Sequence, residues 1–292
     1  MEFPEVLQGN QLKQGWPWNQ GTDPYIYHIY KDWPKISVIT PSFNQGQYLE
    51  QTIRSVLLQH YPNLEYIIID GGSKDNSVEI IKRYGSSIHF WTSEPDKGQS
   101  DALNKGAKIA TGEIIAWINS DDYYEKDAFF EVARSYLEKR FSFFCGACRM
   151  VDEEGNFIRE LYTGKISYST LIRYWKPHFC PPQPSIFFKK DILDQLGAFN
   201  TTLHYAMDYD IWLRASRKYD FHIVKDNLSY YRVHKDSKTG SYGGLTKFIP
   251  EWKMLIQKSM EQESWYTKWN YLLTEKFFLL SGRIRHLFNS VI

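Results

Sequence analysis

Cysteine is scarce in this chain: three in 292 residues, Cys145, Cys148 and Cys180. That excludes a disulfide scaffold and suits a reducing compartment. Cys145-Gly-Ala-Cys148 has C-x-x-C spacing, but no second Cys/His pair accompanies it and no helix follows, so it lacks the context that zinc or redox chemistry needs. An excess of one charge is missing too, with 35 Lys and Arg against 34 Asp and Glu. Without a basic stripe or Arg-rich block, nucleic acid is not expected as a partner. No apolar run approaches the roughly 20 residues of a membrane span. Met1-Glu-Phe-Pro-Glu-Val has neither the basic nor the apolar region of a signal peptide. The expectation is a cytoplasmic protein.

Aromatic residues are plentiful at 17%, with 21 Tyr and 10 Trp. Such rings stack on sugars and bases or sit at membrane interfaces, although most belong to the core. The length suits one large α/β domain or two small ones.

Residues 1–34, rich in Gly, Pro, Gln and Trp, show no periodicity and read as an irregular arm held by Trp16, Trp18 and Tyr25. Lys35–Thr40 is then an apolar strand ending at Pro41-Ser-Phe-Asn44, a loop sequence. A helix is expected from about Tyr48 to Gln59, ended by Pro62. Glu65–Asp70 is a second strand, with the turn at Gly71-Gly72-Ser73 and a helix capped by Asn76 or Ser77 running through Tyr84. Ile88–Thr92 is a third strand, and Gln99–Ala110 a helix with Ala102, Leu103, Gly106, Ala107 and Ala110 as its packing stripe.

Gly112–Tyr124 carries the sharpest signal. Ile114–Ile118 reads as a buried strand that stops at Asn119-Ser120-Asp121-Asp122. Ligands of a parallel sheet bind beyond the carboxyl ends of its strands. Carboxylates there suit a hard divalent cation and, through it, a phosphate. The same residues could instead cap the helix that begins at Asp127. Strand–helix alternation with short connections implies a parallel sheet covered on both sides, so Thr40–Asn44, Asp70–Ser73 and Asn119–Asp122 should converge on one edge.

The character changes after residue 150. Helical segments at about 167–176 and 190–196 flank the proline-rich stretch 177–184, and Ser185–Lys189 reads as a strand. Tyr205-Ala-Met-Asp-Tyr-Asp210 opens a further helix, whose first turn Asp208 and Asp210 would favour electrostatically. Tyr230–His234 is strand-like and leads into a loop at 235–244. The segment from about 262 to 288, with Trp265, Trp269, Leu272, Leu279, Leu280, Lys276, Arg283 and Arg285, is an amphipathic helix or helix pair. It suits either docking on the domain or an anionic membrane surface.

In these blocks the chain resembles the family 2 inverting glycosyltransferases of the GT-A fold, an α/β architecture with a mostly parallel central sheet. The match runs from 35 to about 235 through Thr40-Pro-Ser-Phe-Asn44, Ile69-Asp-Gly-Gly-Ser73 with Asp75, Asp96-Lys-Gly98 with Asn104-Lys-Gly106, Asn119-Ser-Asp-Asp122 and Asp208-Tyr-Asp-Ile-Trp212. The variants look most like the branch that builds bacterial O-antigen and capsule glycans. The resemblance implies a nucleotide-sugar donor, usually a UDP-sugar, contacted by Thr40, Pro41, Ser42, Asn44, Asp70, Gly72, Ser73, Asp96, Lys97, Gly98, Asn104, Asn119, Ser120 and Asp121. Asp70 would hydrogen-bond the base. Asp121 would hold Mn²⁺ or Mg²⁺, His234 matches a histidine that in some GT-A enzymes reaches the metal or diphosphate, and Asp208 would be the catalytic base. Gly71, Leu103, Asn119 and Met207 depart from the commoner Asp, Arg, Asp and Glu of the family.

The implied acceptor is a saccharide or lipid-linked saccharide. It would lie against 177–184 and 235–244, where Tyr174, Trp175, His178 and Phe179 could stack on sugar or equally pack as core or lid. The implied organisation is an arm (1–34), a catalytic domain (35–245, with halves 35–125 and 126–245) and a helical extension (246–292), placed in the cytoplasm or on the inner face of the membrane. Two competing readings are a sugar-1-phosphate nucleotidyltransferase, which would normally have a basic Gly-rich loop after the first strand, and a glycan-binding protein that has lost turnover.

Overall fold

The computed structural model describes residues 13–240 and 244–280. Its first half alternates as the pattern requires: β1 (Ile36–Ser42), α1 (Gly46–Leu57), β2 (Leu64–Asp70), α2 (Ser77–Arg83), β3 (Phe90–Ser93), α3 (Gln99–Ile109) and β4 (Ile114–Trp117). The four strands are parallel in the order β3-β2-β1-β4, with Ser42 beside Asp70 and Asp70 beside Ser93. Strands β1 and β2 are almost wholly buried because helices cover both faces. Alternate residues therefore enter different cores. Ile39, Ile67, Ile69 and Trp117 join one, and Val38, Tyr66, Ile68 and Ala116 the other.

The second half continues the same sheet with β5 (Tyr123–Tyr124), β6 (Phe143–Val151), β7 (Phe157–Leu161), β8 (Ile186–Lys189) and β9 (Phe221–Arg232). Here β8 runs antiparallel to β4 and β6, while β6 and β9 are parallel. Helices α4 (Ala128–Lys139), α5 (Tyr168–Leu171), α6 (Lys190–Leu196), α7 (Met207–Ala215), α8 (Ile249–Met260) and α9 (Trp265–Leu280) complete the described chain. Trp117 of β4 stacks on Trp212 of α7 at 5.4 Å, which ties the two halves through one core. Strand β9 begins nine residues before the expected Tyr230. Its exposed and half-buried residues Phe221–Asn227 carry no clear apolar pattern, so pairing with β6 decides it.

Three local expectations are corrected. The helix at 167–176 is only α5, started by a Ser167/Thr170 capping box. Tyr25 is 74% exposed and does not hold the arm. Tyr27 and Trp33 are buried in its place, Trp16 Nε1 donates to Tyr124 O, and Arg54 donates to the carbonyls of Pro17 and Trp18. Tyr174 and Trp175 are buried rather than open to sugar: Tyr174 OH donates to Glu275, and Trp175 packs on Tyr271 at 5.3 Å. The C-terminal helices thus dock on the domain, with Trp252, Leu255, Ile256, Met260 and Tyr271 in the larger core. The expected positions Leu279 and Leu280 (side chains), Arg283 and Arg285 fall outside what is described. Cys145 and Cys148 are both buried in β6, and burial raises both thiols.

Candidate active site

Because β1, β2, β3 and β4 are parallel, their carboxyl ends open on one edge. At that edge the Asp70 carboxylate accepts from Gly72 N, Ser73 N, Ser73 Oγ and Ser93 Oγ at 2.6–3.1 Å. It is fully buried and shapes the turn. Gly72 supplies the positive φ of +80° that this turn requires. A side chain at Gly71 would meet the Asp96 carboxylate at 2.9 Å, so a second Asp there would set like charges in contact. Asn44, at φ +52°, donates its N–H to Ser73 Oγ at 2.8 Å, and its Oδ1 accepts from Lys74 N. Ser42 Oγ is buried without a hydrogen-bond partner, and Phe43 beside it is 60% exposed.

After β4 the chain builds the acidic turn. His234 Nε2 lies 3.0 Å from Asp121 Oδ2, and the His234 ring packs 4.7 Å from Tyr48 while its Nδ1 is buried without a partner. Arg232 fixes this geometry. Its Nε donates to Asp121 O, its NH1 to the carbonyls of Asp152 and Glu153, and its NH2 to Gln51 Oε1, while its backbone N donates to Asp122 Oδ1. Burial, then the adjacent Asp121 charge, pushes the Asp122 carboxyl well up. Asp122 is therefore internal, and Asp121, half-buried, is the carboxylate presented outward. Neither caps α4, where Asp127 is the flanking residue and makes no side-chain cap bond.

Asn119 joins this turn to its surroundings. Its Oδ1 accepts from Gln99 Nε2 at 2.6 Å, and its Nδ2 donates to Asp122 Oδ2 and Gln183 Oε1. Gln99 Oε1 in turn accepts from Lys238 Nζ at 2.8 Å, and Lys238 also donates to His204 O. Burial lowers the Lys238 ammonium, against the opposing pull of Asp208, Glu251 and Asp121. Lys238 thus feels the charge of both Asp121 and Asp208, which lie far apart in the sequence.

Asp208 stands in the first turn of α7 and is half-buried, with Oδ1 accepting from Tyr209 N at 2.7 Å. Burial raises its carboxyl above the ordinary range, with Lys238 opposing. The approach to α7 is clamped by Glu251 of α8, whose carboxylate accepts from the backbone N–H groups of His204, Tyr205 and Ala206 at 2.7–2.9 Å. Asp210 instead pairs with Arg214 at 2.7 Å.

Several expected residues have side-chain polar groups buried or engaged within the fold, while Lys97 stays exposed. The Thr40 hydroxyl is buried against Tyr66 OH, and Pro41 is buried in β1. Asn104 spends its amide on the backbone of Phe199. Ser120 is buried, its carbonyl accepting from Thr52. Leu103 is a fully buried core residue. Asp96 Oδ1 accepts from Gly98 N, where φ is +99°, and Lys97 is exposed. Lys105 is engaged by Glu94 and Asp101. His178 stacks on Tyr162 at 4.1 Å, and Phe179 packs on Trp252. Gln99, Gln183, Arg232, Lys238 and Glu251 were missed because single polar residues in loops and helix ends carry no pattern of their own.

The donor set suits a divalent cation. Two adjacent ligands at about 2.1 Å from an octahedral ion stand roughly 3 Å apart, which is the Asp121–His234 separation of 3.0 Å. Among the described residues no group of three or more His, Cys, Asp or Glu gathers to hold an ion alone. Two protein ligands completed by substrate phosphates is the usual arrangement for such ions.

Comparison with known proteins follows the same lines. The family model described as Glycosyl transferase family 2 matches residues 37–197. An uncharacterised glycosyltransferase of Rickettsia conorii is 30% identical over 72% of the chain, and the chain spans 35% of that relative. A Bacillus subtilis protein named for teichuronic acid biosynthesis, TuaG, is 34% identical over 42% of the chain and 50% of its own length. The Staphylococcus aureus TarS fragment 1–349, crystallised with UDP-GlcNAc, shares the fold at a TM-score of 0.62 and 19% identity, covering 78% of this chain and 67% of that one.

Proposed function

The chain belongs to glycosyl transferase family 2, and from that premise we propose that it moves a sugar from a nucleoside diphosphate donor to a saccharide hydroxyl, inverting the anomeric carbon. The observation that carries this reading is the Asp121–His234 pair just beyond the end of β4, with Lys238 under the charge of both Asp121 and Asp208.

The turn 70–73, with Ser42 Oγ unpartnered and Phe43 exposed, is the proposed nucleoside cradle, and a UDP-sugar is the proposed donor. Asp121 and His234 would hold Mn²⁺ or Mg²⁺, which as a Lewis acid stabilises the charge gathering on the departing diphosphate, typically by several kcal/mol. Lys238, whose ammonium feels Asp121 and Asp208, would meet the same charge. Asp208 takes the acceptor's hydroxyl proton. The acceptor oxygen then forms its bond to the anomeric carbon as the bond to the diphosphate oxygen breaks, and that oxygen leaves with the electron pair from the opposite face. Burial makes Asp208 a stronger base than an exposed aspartate, which suits the task.

The acceptor is proposed to be a glycan or lipid-linked saccharide of a surface polysaccharide, and the catalytic unit to span 35–245 with α8 and α9 as a cover. Purified protein with Mn²⁺ should slowly hydrolyse one member of a panel of nucleotide sugars and release the nucleoside diphosphate. Absence of release across the panel, with Mn²⁺ or Mg²⁺ and with saccharide acceptors added, would overturn the reading.

A further inference from the structure

Helix α9 is half core and half surface. Tyr271 is buried, and Phe278 packs on Trp175 at 6.3 Å. At 100° per residue, Leu272, Trp265, Trp269, Leu273, Tyr266 and Phe277 fall within one arc of about 140° on the opposite side. All six are exposed, Trp265 and Phe277 at 75%. A contiguous apolar face of this kind marks an interaction surface.

Charge says what covers it. The one carboxylate of α9, Glu275, is turned inward, 14% exposed, accepting from Tyr174 OH and 3.6 Å from Lys253. Lys276 is exposed within the apolar arc. From Ser264 to Ile292 the sequence holds four cations, Lys268, Lys276, Arg283 and Arg285, against that single acid. A second copy docking through this face would bring like charges together with no acid to answer them. An anionic bilayer answers them, and its interface is where Trp and Tyr partition.

We propose that the outer face of α9 seats the protein on an anionic lipid surface, in the plane of the headgroups. No helix among the described residues is long and apolar enough to cross a membrane, so this is attachment from one side. The inference goes beyond sugar transfer and does not depend on it.

Cosedimentation of the full chain with vesicles tests it. Binding is expected to vesicles of phosphatidylcholine mixed with phosphatidylglycerol, weakly or not at all to phosphatidylcholine alone, with release by salt. The triple substitution Trp265→Ser, Trp269→Ser, Phe277→Ser should weaken binding about tenfold or more with an unchanged melting temperature. Lys276→Glu should weaken it through charge alone. Absence of binding, equal binding to neutral vesicles, or equal binding by the variants would overturn the proposal. So would light scattering that finds a dimer abolished by the triple substitution. The readout is binding, so its failure leaves the glycosyl transfer reading standing.

Discussion

His234 Nε2 sits 3.0 Å from Asp121 Oδ2, with the histidine side chain fully buried and the aspartate 17% exposed. The pair spans 113 residues of sequence and is held by Arg232, two residues before the histidine. If the two side chains share a cation, Asp121→Ala and His234→Ala should each shift the Mn²⁺ requirement of nucleotide release upward. A shift of about 10- to 100-fold or more is expected, since even outer-shell partners of a metal site are worth that much. Unchanged metal titrations in both variants would remove the assignment.

Asp208→Asn should lower turnover by about 10²–10⁴ while leaving nucleotide affinity near its original value by calorimetry. The same change should raise the melting temperature at neutral pH. Burial lifts the Asp208 carboxyl in the folded state, so the native protein holds this proton more tightly than the unfolded chain, and stability falls as pH rises through the lifted value. Asparagine carries no such penalty.

Turnover should fall on acidification with a midpoint above the ordinary aspartate value of about 3.9, because the base works only when deprotonated. The limb should vanish from the residual rate of Asp208→Asn. A limb that survives in that variant belongs to another group.

Glu251 is a positioning residue: it clamps the backbone that leads into Asp208 and, besides burial, its charge also helps to raise the Asp208 carboxyl. Glu251→Gln replaces a charged acceptor of three N–H groups with a neutral one, a loss of about 1–3 kcal/mol in that clamp. Turnover should drop about 10- to 100-fold with donor KM nearly unchanged, since displacement by an ångström has costs of that order. Equal changes in both parameters, or none, would leave Glu251 a structural cap only.

Glu65, remote from the cleft, makes the stability prediction. Burial works to raise its carboxyl, but Lys35, Ser37 and Thr111 together hold it down at about 2. The carboxylate then contributes about 3 kcal/mol at neutral pH, present above the ordinary range and lost as pH falls toward 2. Glu65→Gln should destabilise the protein by an amount of that order, measured by denaturant titration at pH 7, and the difference should shrink in acid.

The first half of the fold was legible because each element declared itself locally. Apolar runs such as Tyr66–Ile69 and Ile114–Ile118 suit strands buried on both faces, and helix spacing separates them. The long β9 was not legible, since half-exposed residues such as Phe221–Val224 become a strand only by pairing with β6. Asp121 stood out as a carboxylate at a strand end, whereas Asp208 and His234 were singled out only through the family resemblance. Arg232, Lys238 and Glu251 did not, because their chemistry lies in which distant carbonyls, amides and carboxylates they meet.

Composition and local pattern by themselves determined an α/β chain with polar strand ends along one sheet edge and no membrane-spanning run. That follows from neighbouring residues, whose periodicity and turn chemistry act over a few positions. Tertiary structure alone decided that Asp70 is spent on its own turn, that Asp122 is internal while Asp121 faces outward, and that Tyr174 and Trp175 pack beneath α9 rather than against sugar. The last two outcomes rest on burial and hydrogen bonding between segments about a hundred residues apart, and the first on how a turn closes on itself and on Ser93 of the neighbouring strand.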